Sequence, residues 1–140
     1  MPQPAHIPPR QEYREYWAGQ RGIPIARSGE ATARVIVECA RSKNAVDPVI
    51  LDMRQAALMT DYFVVCAGES TRQVKAIADA IWEGLEAHGI PVRHIEGYHE
   101  AHWALVDGGD AVAHVFLPPL RQFYDLEHLW GDMPRLTLSP

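Results

Sequence analysis

Cysteine is scarce, with only Cys39 and Cys66 in 140 residues. Two thiols at this separation give neither a disulfide framework nor metal-ligand spacing, and their apolar neighbours mark them as small buried hydrophobes. Such usage fits a reducing compartment. Also missing is any apolar run approaching the ~20 residues that span a bilayer, so no membrane contact is expected. The N-terminus has no apolar signal core, and Glu12 and Glu15 do not suit an acid-poor transit peptide, which makes the cytoplasm the expected location. Positive charge is short as well. With 13 Lys+Arg against 18 Asp+Glu the net charge is −5, so a broad grip on DNA or other bare nucleic acid is not expected, and a basic protein suits better as a partner. Phosphate-binding signatures are lacking too. Gly68-Glu69-Ser70 is followed by no Gly-Lys-Ser or Gly-Lys-Thr, belongs to no Gly-x-Gly-x-x-Gly, and is not the Gly-x-Ser-x-Gly elbow of a hydrolase. No internal repeat or low-complexity segment is visible.

What is present is ordinary globular composition, 47% apolar and 22% charged, in a chain long enough to bury one core without staples. Its organising stretch starts at Tyr62, where six apolar, aromatic and β-branched residues run to Ala67. The absence of polar alternation predicts a central strand covered on both faces. Gly68 stops the run, and Ser70 with Gln73 forms the Ser-x-x-Gln capping signature of a helix start. Val74, Ile77, Ala78, Ile81 and Leu85 then fall on one helical stripe, which ends at Gly89 before Pro91 and a second strand over residues 92–96. This reads as a strand-helix-strand unit with a right-handed crossover.

Before it, Pro2, Pro4, Pro8, Pro9 and Pro24 make residues 1–27 an extension, in which Tyr13, Tyr16 and Trp17 supply at most a short docking turn. Ser28 is available to cap a first core helix carrying Ala31, Val35, Ile36, Cys39 and Ala40, with Glu30 and Arg34 as an i,i+4 pair. A short strand follows over residues 49–53. After the crossover unit, Asp107-Gly108-Gly109-Asp110 between two apolar runs predicts a β-hairpin. Leu120, Phe123, Tyr124, Leu126 and Leu129 suggest one C-terminal helix, stopped at Gly131, and residues 132–140 read as a tail. Residues 28–131 thus form one α/β domain, a mixed sheet of about five strands with helices packed on it.

Several residues suggest chemistry and then fail its spacing. His94, Glu96, His99, Glu100, His102 and His114 are metal-ligand types, yet His99-Glu100-Ala101-His102 is one residue short of the His-Glu-x-x-His zinc helix. Hydrogen-bonding histidines on a sheet rim are the simpler expectation. Asp107 and Asp110, with Asp52, do not have the offset of two that puts carboxylates on one strand face for magnesium, and turn chemistry explains the first pair. No cofactor or metal is expected. Trp103 starts a strand in alternation with Leu105, which leaves it either a core residue or a half-exposed aromatic anchor of a binding face.

With these segments placed, the chain resembles the ribosomal silencing factor family, also called RsfS or Iojap. The likeness runs from about Ala31 to Trp130 and rests on several blocks. They are Leu51-Asp52-Met53-Arg54, Thr60-Asp61-Tyr62-Phe63-Val64-Val65, Arg72-Gln73-Val74, Glu96-Gly97, Trp103, Gly109-Asp110, His114-Val115-Phe116, Arg121 and Phe123-Tyr124. Gly108 before Gly109 and Ala113 before His114 depart from the usual pattern, as does the Pro-rich extension. The resemblance implies a nucleotidyltransferase-like fold without enzymatic activity. It also implies binding to the large ribosomal subunit through its fourteenth ribosomal protein, which blocks subunit joining and represses translation under nutrient limitation. Related organellar members act in large-subunit assembly. The residues expected to meet the partner are Trp103, Leu105, Asp107 and Asp110 on the hairpin and Tyr98 on the loop before it. Two other readings stand beside this one: a nucleotide-binding enzyme that kept activity on the scaffold, and a homodimer built on exposed sheet and aromatic arm.

Overall fold

The computed structural model describes residues 29–56 and 60–140. The Pro-rich extension, its aromatic residues and the proposed Ser28 cap lie outside the described residues. Helix α1 spans Gly29–Arg41, and strand β1, Val46–Asp52, leads through a single 3-10 turn at Arg54–Ala56 towards β2, Tyr62–Ala67. Helix α2, Thr71–Ala87, is followed by three strands: β3, His94–Glu96, β4, Trp103–Asp107, and β5, Ala111–Phe116. Two short helices, α3, Pro118–Tyr124, and α4, Leu126–Leu129, precede a last strand β6, Arg135–Leu136. The sheet order is β3-β4-β5-β2-β1-β6, with β2 and β5 parallel and every other neighbour antiparallel.

Helix α2 forms as its stripe dictates, with Val74, Ile77, Ala78, Ile81 and Leu85 all buried against the sheet. Its cap differs from the simplest capping box. Ser70 accepts the Gln73 amide at 3.1 Å, but Gln73 Oε1 takes the Glu69 amide at 2.7 Å, and its Nε2 donates to the carbonyls of Lys43 and Asn44. One side chain therefore caps α2 and ties it to the turn after α1. The Glu30–Arg34 pair of α1 is present at 3.0 Å.

Four features differ from the expectations or add to them. In the first, strands β2 and β3 of the crossover unit are parallel members of one sheet, as expected, but not neighbours. The hairpin β4–β5 lies between them, and β5 pairs parallel with β2 from Tyr62↔Ala111 to Ala67↔Phe116. Every residue of β5 is buried, so it needs a strand on each side, whereas three-residue β3 carries exposed His94 and Glu96 and suits an edge. Second, β1 starts earlier than expected and contains Pro48. A bulge between Val46 and Val49, with Asp47 at φ 45°, breaks the ladder where proline could not donate. Third, the C-terminal helix is two helices, separated by Asp125 in the left-handed conformation at φ 47°. Fourth, the tail is tied down: Arg135 and Leu136 pair with Leu51 and Ile50, giving a sixth strand.

The sheet has two different faces. On one, α1 and α2 pack over Ile50, Val64, Cys66, Ala104, Val106, Ala113 and Val115. On the other, α3, α4 and the turn after them bring Leu120, Leu126 and Trp130 onto Leu51, Met53, Val65 and Phe116, while the side chains of β4 on that face stay part exposed.

Candidate functional site: the partly open face of the sheet

Alternation along β4 turns Ala104 and Val106 into the helix-covered core and sends Trp103, Leu105 and Asp107 to the opposite face, where each stays part exposed. The register of β3 adds two residues to that face, with His94 opposite Asp107 and Glu96 opposite Leu105. His94 Nε2 and Glu96 Oε1 lie 2.8 Å apart. The result is an apolar centre with a polar, mostly acidic rim.

Trp103 is the centre of an aromatic group drawn from four elements, β2, β4, β5 and α3. Its ring stacks on Phe116 at 4.8 Å between centroids and meets Tyr124 of α3 at 4.7 Å. Tyr124 meets Phe123 edge-on at 5.1 Å, and Phe123 is 77% exposed. Beneath, the indole Nε1–H donates to His114 Nδ1 at 3.2 Å, and Phe63 closes edge-on to the imidazole at 4.6 Å. His114 is buried, which pushes its pKa down to about 4 and keeps the ring neutral. The expectation of a solvated rim histidine is therefore corrected for His114, because β5 is covered along its whole length. Phe63 corrects a second expectation, since β2 is not closed on both faces there.

The five residues expected to meet a partner do not all gather here. Trp103, Leu105 and Asp107 do. Tyr98 packs at the margin of the helix-side core and hydrogen-bonds Asp79, which raises its pKa, while Lys75 Nζ stands 5.9 Å from its ring. Asp110 is 7% exposed, and its carbonyl accepts the amides of Asp61 and Tyr62 at 3.1 Å each. It closes the start of the parallel pair rather than facing outward. The neighbouring Asp107 fixes the turn, with Oδ1 accepting the Gly109 amide at 2.8 Å and Gly109 at φ +88°. Phe63, His114, Phe123 and Tyr124 were not singled out as site residues from sequence. Their signal lies in the β2–β5 register and in the kink at Asp125, neither of which a linear pattern displays.

Arg54 clasps Asp52 at 2.7 and 2.9 Å, which lowers the carboxyl pKa, and the guanidinium lies 5.6 Å from the Tyr62 ring centroid. Burial pushes the Cys66 thiol up to about 12. Among the described residues no three of His, Cys, Asp and Glu come together in a way that could hold a metal ion, and no helix is long and apolar enough to cross a membrane.

A sequence profile of the family described as "Ribosomal silencing factor during starvation" matches residues 26–140. The chain belongs to the ribosomal silencing factor family. Among curated members, Ribosomal silencing factor RsfS of Bacillus subtilis is 47% identical over 97 residues, covering 69% of this chain and 82% of that protein. A more distant relative, Mitochondrial assembly of ribosomal large subunit protein 1 of Mus musculus, is 34% identical over 99 residues, or 69% of this chain and 43% of its own. A crystal structure of a Chromobacterium violaceum protein superposes with a TM-score of 0.73 at 32% identity, covering 81% of this chain and 91% of that one. The mixed α/β architecture is thus shared with a solved structure, and these two curated relatives of this silencing-factor chain are named for silencing and for assembly.

Proposed function

We propose that this chain represses translation by docking on the large ribosomal subunit, through its fourteenth ribosomal protein, and so obstructing joining of the small subunit when nutrients are scarce. It acts by occupying a surface and needs no cofactor. The observation that carries this reading is Trp103, half-buried at the centre of a partly open sheet face, beside Leu105 and rimmed by Asp107 and Glu96. An aromatic anchor in an apolar centre is the kind of residue that dominates interface energy. The acidic rim and a net charge of −5 suit a basic ribosomal protein by steering encounter and fixing register. Tyr98 and Asp110 lie away from this face.

Co-sedimentation of the purified protein with isolated large and small subunits, scored for binding and for formation of joined ribosomes, tests the proposal. Binding to the large subunit alone, with joining reduced, is the expected result. Trp103→Ala should weaken that binding at least tenfold, as truncating an interface hot spot does. Unchanged affinity in a folded Trp103→Ala variant would sink the assignment of this face. The name of the murine relative favours a second reading, large-subunit assembly. Binding without any effect on joining would select it.

A further inference from the structure

We propose that His114 is a positioning residue for this docking face: by accepting the indole N–H of Trp103 it fixes the ring and leaves an anchor that offers a partner only apolar surface. The inference rests on the docking role of the Trp103 face given above. The geometry is a closed chain of contacts. Trp103 Nε1 donates to His114 Nδ1 at 3.2 Å, while the indole is held between Phe116 and Tyr124. His114 sits opposite Leu105 across the β4–β5 ladder, so the imidazole projects from the same face of the sheet, buried beside the part-exposed Leu105. With Nδ1 accepting, the single proton of the neutral ring is on Nε2, and among the described residues no acceptor reaches that buried atom.

An unpartnered buried donor destabilises a fold, and an apolar side chain of similar volume would fill the same space without that penalty. Burial keeps the ring neutral at ordinary pH, so Nδ1 remains an acceptor. The imidazole therefore makes a bond to the anchor at the expense of the core beneath it, as residues serving a site rather than stability do. The consequence for recognition is chemical. The indole N–H is already bonded, so the partner patch facing Trp103 needs apolar atoms and no hydrogen-bond acceptor.

The test compares His114→Leu and His114→Asn with the unaltered full chain. Asparagine keeps an acceptor close to the position of Nδ1, and leucine removes it. Three quantities are measured: stability in urea, the Trp103 indole N–H resonance in nitrogen-15-labelled protein, assigned with Trp103→Phe, and affinity for isolated large subunits. His114→Leu should hold or raise the urea midpoint, move the indole resonance away from its hydrogen-bonded position and weaken binding about tenfold. His114→Asn should recover both the resonance and the affinity. A merely structural histidine would instead lose stability and affinity together, without rescue by asparagine, and that result overturns the proposal. His114→Phe, which keeps a ring at the site, serves the same comparison should leucine leave the chain unfolded. Unchanged affinity in His114→Leu while Trp103→Ala weakens binding overturns this proposal alone. Unchanged affinity in both overturns the docking reading as well.

Discussion

Burial holds His114 neutral in the fold, with its pKa pushed down to about 4, whereas in the unfolded chain the imidazole titrates near 6.5. As pH falls through that window the unfolded state takes up a proton that the folded state refuses. Stability contributed at neutral pH is therefore lost progressively between about pH 6.5 and 4, by up to about 3 kcal/mol. Urea midpoints measured from pH 7 to 4.5 should fall in the unaltered chain, and His114→Leu should remove that part of the slope. Another residue restricts the same neighbourhood through its backbone. Gly97 has φ +70°, and a Cβ there would overlap the Trp103 carbonyl oxygen, so the loop before β4 can approach the strand only without a side chain. Trp103 was legible as either core or anchor because its alternation with Leu105 is a local pattern of the sequence. Tyr98 and Asp110 were grouped with it because proximity in sequence says nothing about which face a loop or turn residue joins.

Helix α3 is held in place by Arg121, whose guanidinium is largely buried. Its Nε meets Glu127 at 2.8 Å, and its two terminal nitrogens donate to the carbonyls of Val46 and Asp47 at 3.0 and 2.7 Å. Those carbonyls lie where the β1 bulge breaks the ladder, so one fork satisfies groups that the irregular strand leaves open. Arg121→Met should lower stability by about 2–4 kcal/mol in chemical denaturation, since it leaves Glu127 and two carbonyls without their principal partner. Arg121→Lys should recover little, because an ammonium cannot span the same three acceptors in one plane. The elements differed in how far their sequence revealed them. Helix α2 could be read residue by residue, since its cap, stripe and stop are all local signals. The break at Asp125 could not, because a left-handed aspartate inside a helical apolar pattern looks like any other aspartate until the tertiary contacts of Arg121 and Trp130 select it.

At the scale of the molecule, the sheet depends on its C-terminal strand. Residue Asp52 donates its amide to the Pro134 carbonyl at 2.7 Å, Arg135 and Leu136 pair with β1, and Leu136 and Leu138 pack at the margin of the helix-side core. A chain ending at Gly131 should melt several degrees lower and scatter light on warming, because the exposed edge of β1 becomes a template for pairing. Differential scanning calorimetry with parallel light scattering checks both effects. The α/β class and the hairpin were readable from sequence, since two turn glycines and apolar runs are local marks. Strand order was not, because it follows from which strand is apolar enough to need two neighbours, a competition among distant segments that β5 wins and β3 loses.

The parallel pairing of β2 with β5 also affects how the chain folds. Those strands are separated in sequence by all of α2, β3 and β4, so the centre of the sheet closes over a far longer loop, at a greater entropic cost, than the hairpin beside it. The β4–β5 hairpin and helix α2 can each form early from neighbouring residues. Trp103 and His114 both lie on that hairpin, diagonal neighbours on one face before Phe63 arrives from β2. The aromatic cluster is thus begun by a local hairpin and completed only when β2 joins β5, so the face is finished only after the central seam has closed.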